Sequence, residues 1–373
     1  WTYPSVVSLL SGLYPSTHGA GYAQEGGEYV TTVVPPGVDT MAQVFKRAGY
    51  STGGFVTNPL LKRLSGLDRG FDVYHDEFVR DWTRSDSAWA EDTMRAENVN
   101  RALLEWLDAD ADGPRFAYVH YIDVHGPYLE PKPYGGRSGI TAIAAERARL
   151  TGKPRDVMID VYDGALAHLD GVIGELVREL DRRGILEDSI VVVTSDHGEE
   201  FGDHGGHGHG HTVYDELLRV PLIFVRTAAF PYAGRVDDIV GQVDLLPTLC
   251  ELAGLPVPEG LPGESLRDRI GGRESSGTRP VLAELDNRGR PAWNSKPGDP
   301  EVAYALLMPP TSKYVVATLP PARKTGTVTT REMLFDLGSD PGEKQNLAAG
   351  EASVERPRRE LSHLLADAQS IAV

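Results

Sequence analysis

The feature that most constrains this chain is the run Ser189-Ile190-Val191-Val192-Val193 and the polar segment directly after it. Four β-branched residues in succession, with no polar alternation, predict a strand buried on both faces. Thr194-Ser195-Asp196-His197-Gly198-Glu199-Glu200 then brings a carboxylate and an imidazole out together at the strand's carboxyl end. That is the edge at which open α/β sheets bind ligands. The next residues, Gly202 to His211, carry His204, His207, His209 and His211 spaced by glycine. Neutral imidazole and carboxylate form the ligand set for zinc, manganese or iron. Glycine lets the backbone fold tightly around a small ion. A solvated His/Gly loop is the competing reading. The adjoining Asp196-His197 pair favours the metal.

The rest of the chain repeats the alternation of strand and helix. A turn and a short helix stopped by glycine are predicted over Thr2 to Gly12. Asp39 is placed to cap a helix over Thr40 to Ala48, and Ser51 to Val56 reads as a strand leading into the polar turn Thr57-Asn58-Pro59. A helix is expected over Asp92 to Leu107 and a strand over Arg115 to Ile122. The longest helix is expected from about Asp156 to Arg183, with its apolar positions on one face. Val220 to Val225 and Ile239 to Val243 read as further strands, and Leu245 to Leu252 as a helix. After Gly263 come short strands at Pro280 to Leu285, Val302 to Leu307, Tyr314 to Thr318 and Met333 to Phe335, then a helix from about Val354 to Ala368. The expected fold is therefore α/β. A mostly parallel sheet is sandwiched by helices over residues 1–263, and a smaller α+β subdomain, an antiparallel sheet plus a helix, covers 264–373.

Composition narrows the partners. A net charge of −17 argues against nucleic acid, whose phosphates need basic surface. No apolar run approaches the length of a transmembrane helix. The single cysteine, Cys250, rules out a disulfide framework and reads as a small core residue. The chain begins with Trp1, inside what reads as a motif, so an upstream segment is expected.

Two further places carry chemistry. Thr2 opens a run of small hydroxyl residues at the start of a helix, where free N–H groups and a partial positive charge favour an anion. Held against a metal at the Asp196-His197 site, its hydroxyl would ionise and become a nucleophile; the alternative is a plain turn residue. The second place is His120-Tyr121-Ile122-Asp123-Val124-His125-Gly126-Pro127-Tyr128, at the end of a predicted strand. Asp123 and His125 lie past that strand end, one suited to metal or substrate oxygens and the other to protonating a leaving group. His120 lies within the strand and reads equally as a core histidine. His18, His75, His168 and His363 read as structural or exposed.

These residues carry a family resemblance. Thr2-Tyr3-Pro4-Ser5, followed by Ser11-Gly12-Leu13-Tyr14-Pro15 and His18-Gly19, resembles the nucleophile motif of the sulfatase family within the alkaline phosphatase superfamily. Ser195-Asp196-His197-Gly198-Glu199 resembles that family's late metal-ligand motif, and His209-Gly210-His211-Thr212 the segment after it. Val243-Asp244-Leu245-Leu246-Pro247-Thr248-Leu249 and Leu334-Phe335-Asp336-Leu337 extend the match in order along nearly the whole chain. The resemblance implies that Thr2 stands at the metal-bound nucleophile and that Asp196 and His197 hold the metal. It places His209, and with it His211, near the second metal or the substrate's charged oxygens, and His125 at a substrate-contacting histidine. One or two upstream aspartates are expected to complete the metal site. Zinc or manganese is favoured over calcium, because His197 stands where calcium-binding sulfatases have an asparagine.

The departures bear on the reaction. Sulfatases carry a cysteine or serine at the Thr2 position, which becomes formylglycine. The arginine four residues on is replaced by Val6, and the lysine-then-histidine pair that falls at about Thr57 to Pro59 is absent, leaving Asn58 as the substrate-binding candidate there. An unmodified threonine is the pattern of relatives that act on phosphorus, among them nucleotide pyrophosphatase/phosphodiesterases and phosphoglycerol and phosphoethanolamine transferases. The expected activity is a metal-dependent hydrolase of small phosphate mono- or diesters. A sulfuric ester hydrolase, a phosphoryl transferase and a non-catalytic binding module are the alternatives. The loops Glu130 to Lys153 and Asn287 to Asp299 are expected to set the substrate.

Overall fold

The structure is a computed structural model, and it describes residues 1–25, 28–77, 95–109, 113–126, 128, 155–228, 230–272, 279–288, 299–320 and 328–371. Pro127, the loop 130–153 and most of the loop 287–299 lie outside the described residues. In chain order the elements are α1 (Thr2–Ser11), α2 (Pro15–His18), the hairpin β1–β2 (Tyr22–Glu25 and Glu28–Thr31), α3 (Met41–Arg47), β3 (Ser51–Phe55), β4 (Val73–His75), α4 (Ala96–Ala109), β5 (Arg115–Val119) and α5 (Arg155–Arg182). There follow β6 (Val191–Thr194), the short pair β7 (Glu200–Phe201) and β8 (His207–Gly208), α6 (Asp215–Leu218), β9 (Leu222–Val225), α7 (Leu245–Leu252) and α8 (Arg267–Ile270). The chain ends on β10 (Val281–Asp286), β11 (Val302–Met308), β12 (Ser312–Leu319), β13 (Thr329–Asp336) and α9 (Glu351–Ser370).

The chain divides into two compact units. The first comprises residues 1–41, 193–223 and 232–373, and the second 42–192 and 224–231. The second unit is built on a parallel sheet in the order β4-β3-β5. Phe55, Val99, Leu103, Trp106, Leu107 and Leu180 form its core, drawn from β3, α4 and α5. Gly54 is required in β3 because a Cβ there would meet the Tyr74 ring of β4 at 2.5 Å; only glycine lets the two approach so closely. Parallel strands with helical crossovers are what the alternating pattern predicts.

The first unit holds the antiparallel sheet β10-β11-β12-β13. Leu282, Leu306 and Tyr314 on this sheet pack against Val354, Leu361 and Ala368 of α9. This is the antiparallel sheet plus helix expected after Gly263. Three expectations need correction. The strand predicted over 239–243 is a 3₁₀ turn at Gln242–Asp244 running into α7. Asp244 Oδ2 accepts the Gly241 amide at 2.8 Å, and the Asp244 amide returns to the Gly241 carbonyl at 3.0 Å. This local side-chain pairing outcompetes a ladder. The strand β6 is half-buried rather than fully buried; β9 is its one partner among the described residues. And the residues expected as a turn, Thr2 to Ser5, are already helical, forming the first turn of α1. Pro4 is accepted in the first turn because an N–H there has no partner within the helix.

His18 joins α2 to α1. Its Nδ1 accepts the Ala20 amide at 3.0 Å, so its Nε2–H donates to Ser8 Oγ at 3.0 Å. Burial lowers its pKa from 6.5 to about 4. The native state therefore takes this proton later than the unfolded chain on acidification. Stability should fall as pH falls from 6.5 to about 4, by ~3 kcal/mol in that window. His18→Gln keeps a donor without the titration. Its unfolding free energy, measured in urea from pH 7 to pH 4, should fall less steeply than that of the native chain by about this amount; an unchanged slope would remove His18 as a source of acid sensitivity.

Candidate active site

The first unit brings Thr2, Asp196, His197 and His209 together. Thr2 is the first residue of α1 and is 3% exposed. Its Oγ1 lies 3.1 Å from His197 Nε2. The His197 ring is fixed from the other side, since Nδ1 stands 2.8 Å from the Gly198 carbonyl. A carbonyl only accepts, so Nδ1 carries the hydrogen and the Nε2 lone pair faces Thr2. Burial is the main cause that drives the His197 pKa down to about 3, against the nearby Asp196, so the ring stays neutral at physiological pH. Asp196 Oδ2 lies 3.4 Å from the same Nε2. The hydroxyl and the carboxylate can therefore be no farther apart than the two distances laid end to end, about 6.5 Å. A hydroxyl oxygen and a carboxylate oxygen thus both stand beside one imidazole lone pair, and these are donor types that a divalent cation takes.

The backbone of the Asp196 turn is held in turn. Gln242 Nε2 donates to the Ser195 carbonyl at 2.9 Å and to the Asp196 carbonyl at 2.8 Å. Ser195 Oγ donates to the His197 carbonyl at 2.7 Å. These bonds fix where the Asp196 and His197 side chains point. A cleft of about 580 Å³ reaches this turn and is lined by Ser5, Ser8, Asp196, His197 and Gln242 among others.

Three of the four histidines of the glycine-rich loop separate into two roles. His209 stacks on His197, with ring centroids 4.0 Å apart, and its Nδ1 lies 3.3 Å from both Glu199 oxygens. His211 and His204 build the loop itself. His211 Nε2 meets Glu200 Oε2 at 2.6 Å, and Glu200 Oε1 accepts the His204 amide at 2.8 Å and the Gly206 amide at 2.6 Å. Glu200 is wholly buried. Burial alone would raise its pKa, but these hydrogen bonds outweigh burial and hold the carboxyl below its usual range. Gly206 is needed here, because a Cβ would lie 2.4 Å from His211 Nε2 and 2.5 Å from Glu200 Oε2. His204 Nδ1 meets Glu216 at 2.6 Å, and its ring stacks on Tyr214 at 3.6 Å. The anchors, Glu200 (buried) and Glu216 (half-buried), are not singled out in the sequence; their signal is a glutamate at each end of the His/Gly segment.

The remaining candidates lie in the second unit. His125 Nδ1 stands 2.7 Å from the Gly126 carbonyl. Asn58 is buried and its Oδ1 accepts the Leu60 amide at 3.0 Å, capping a 3₁₀ turn. Asp123 Oδ1 accepts the Ala96 amide at the start of α4, at 3.2 Å. Beside it stand Glu97 and His168, neither of which the sequence singled out as functional. No periodicity links these three positions, so only the fold brings them together.

A family model described as Sulfatase matches residues 1–255. The multifunctional alkaline phosphatase superfamily protein PehA of Trinickia caryophylli is 28% identical over 340 residues, covering 86% of this chain and 59% of that protein. The Delta 4,5-hexuronate-2-O-sulfatase of Bacteroides thetaiotaomicron is 25% identical over 380 residues, covering 92% of this chain and 74% of that one. The chain thus spans about three fifths of the first relative's length. Among solved structures, the phosphonate monoester hydrolase of Agrobacterium radiobacter superposes with a TM-score of 0.71 at 21% identity, covering 98% of this chain and 86% of that one. A 2-O glycosaminoglycan sulfatase superposes with a TM-score of 0.65 at 21% identity, covering 98% and 81%. No helix among the described residues is long and apolar enough to cross a membrane.

Proposed function

The chain belongs to the sulfatase family, and from that premise we propose that it is a metal-dependent hydrolase cleaving phosphate mono- or diesters through a covalent phospho-threonine. One observation carries the reading: a buried threonine hydroxyl 3.1 Å from the lone pair of a neutral histidine, at the first turn of a helix. Thr2, Asp196 and His197 would hold a divalent cation, which when bound lowers the pKa of the Thr2 hydroxyl and offsets charge on the phosphoryl oxygens. Zinc or manganese suits this imidazole–carboxylate set better than calcium, which prefers an all-oxygen shell.

Thr2 Oγ1 gives its proton to solvent water and attacks phosphorus, and the bond from phosphorus to the leaving oxygen breaks. The leaving oxygen takes a proton, for which His125 is the candidate donor. Water then cleaves the bond between phosphorus and Thr2 Oγ1 and restores the hydroxyl. The α1 N-terminus favours the added negative charge. His209, fixed by Glu199 and stacked on His197, binds a non-bridging oxygen. Asn58 and His211 complete the set of substrate-side candidates, His211 acting through its bond to Glu200.

A sulfuric ester is the second reading, favoured by the names of curated relatives such as the Bacteroides 2-O-sulfatase. The chemistry of position 2 weighs the other way, since threonine cannot yield the aldehyde. The test is hydrolysis of nitrophenyl phosphate, bis-nitrophenyl phosphate and nitrophenyl sulfate by the chain loaded in turn with zinc, manganese and calcium. Phosphate mono- or diester turnover exceeding that of the sulfate is expected, with zinc or manganese as the activating ion. Turnover of the sulfate alone would replace the phospho-threonine reading with the sulfatase one.

A further inference from the structure

The second unit carries a ligand cluster that the phosphoryl chemistry at Thr2 does not use. Glu97 stands in the first turn of α4, Asp123 follows β5, and His168 sits on α5. One ligand atom from each lies within 4.8 Å of the other two. His168 Nε2 is 3.1 Å from Glu97 Oε1, and His168 is 5% exposed. Asp123 Oδ1 accepts the Ala96 amide, whereas Oδ2 is buried with no hydrogen-bond donor among the described residues. A buried carboxylate oxygen left in that state is costly. Burial pushes the Asp123 carboxyl up to about 6, and the neighbouring Glu97 adds to the rise.

We propose that Glu97, Asp123 and His168 form a second divalent-cation site, for an ion of the zinc and manganese class. Two carboxylates and an imidazole are the donor types such ions take. Ligands that share an ion at bond lengths of ~2.0–2.2 Å stand ~3–4 Å apart, so small side-chain rotations convert the observed triangle into a coordination shell. The cation supplies the charge that Asp123 Oδ2 lacks. Glu97, its side chain 43% exposed, gives the ion a way in and leaves room for water ligands. The frame behind the ligands is already fixed. Asn100, one turn after Glu97, donates to the Val172 carbonyl at 3.2 Å, one turn after His168. Tyr121 donates to Asn100 Oδ1 and joins the segment after β5 to the same frame. Partners of this kind orient ligands. The ion would fasten the segment carrying Asp123 and His125 to α4 and α5, a structural role distinct from the chemistry at Thr2.

The test uses zinc chloride and the full chain carrying Asp196→Asn and His197→Ala, which lacks the ligands of the Thr2 site. After dialysis and gel filtration it should retain one equivalent of zinc by elemental analysis, and zinc should raise its thermal midpoint. Adding Glu97→Gln and Asp123→Asn should remove both the equivalent and the rise. Glu97→Gln alone changes a half-exposed side chain and should leave the circular dichroism unaltered while weakening zinc binding by about tenfold or more. Zinc retained after Glu97→Gln and Asp123→Asn would belong elsewhere and overturn the assignment. No zinc retained by the Asp196→Asn, His197→Ala chain would overturn it as well.

Discussion

Thr2→Ala should lower kcat for the preferred phosphate ester by about 10³-fold or more at saturating metal, with the fold little changed. The reason lies in what the hydroxyl does twice. In the proposed mechanism it attacks phosphorus and stays bonded through the intermediate, so its removal would delete the covalent route itself. Thr2→Ser restores a nucleophile of the same reach and should recover turnover to within about tenfold of the native chain. The α1 helix should tolerate both, since Thr2 is its first residue and its hydroxyl bonds to His197 rather than to the helix. The side chain's contact is with His197 Nε2, 3.1 Å away. A rapid-quench experiment adds a separate readout. Acid-trapped enzyme should carry phosphate on threonine in the native chain, on serine in Thr2→Ser, and on neither in Thr2→Ala. If Thr2 were only a ligand, Thr2→Ala would regain turnover at high metal concentration. Turnover of Thr2→Ala within tenfold of native, at any metal concentration, would remove the nucleophile assignment.

How much of the fold and the site could be read from residues alone depends on how far apart the cooperating residues lie. The strand at Val191–Thr194 and the turn after it are local, and the β-branched run followed by Asp196-His197 marks both. The long helix α5 was legible within one residue at each end because twenty-eight residues average out local exceptions. The strand expected over 239–243 failed where one side chain, that of Asp244, turned back on the Gly241 amide. Pattern reading weighs apolar spacing and does not see such a bond. At the site, the pairing of Thr2 with His197 spans 195 residues. Spacing did not link them; the family resemblance did. The Glu97–Asp123–His168 cluster had neither spacing nor resemblance to mark it. In the glycine-rich loop the resemblance singles out His209 and, with it, His211. The structure divides the loop, because Glu200 and Glu216 engage His211 and His204 and leave His209 beside His197.

Lys313→Ala should be the most destabilising single change outside the hydrophobic core, by about 3–5 kcal/mol. Lys313 on β12 is fully buried, and its Nζ lies 2.8 Å from Asp215 Oδ1 and 2.8 Å from Glu343 Oε1. The contact with Glu343 is an ion pair rather than a well-aligned hydrogen bond. Glu343 is nearly as buried, and its Oε2 accepts the Asp215 amide at 2.6 Å, the start of α6. Alanine leaves two carboxylates facing each other with no cation between them, and breaking a buried pair from one side costs far more than the pair contributes. The pH dependence gives the cause its signature. Burial raises the Glu343 carboxyl above its usual 4.5, with Lys313 pulling against it. A raised carboxyl binds its proton more readily in the native state, so the stability it confers is present at acid pH and lost as pH rises. Without Lys313 that rise grows. The gap in urea midpoint between native and Lys313→Ala should therefore be wider at pH 8 than at pH 5, and Glu343→Gln added to Lys313→Ala should narrow it at pH 8. The loss should reach the site, because α6 carries Glu216, and the Glu343 carbonyl lies 3.3 Å from the Nε2 of the same His204 that Glu216 holds. A gap independent of pH would mean that Lys313 acts through its packed methylene stem and not through its charge.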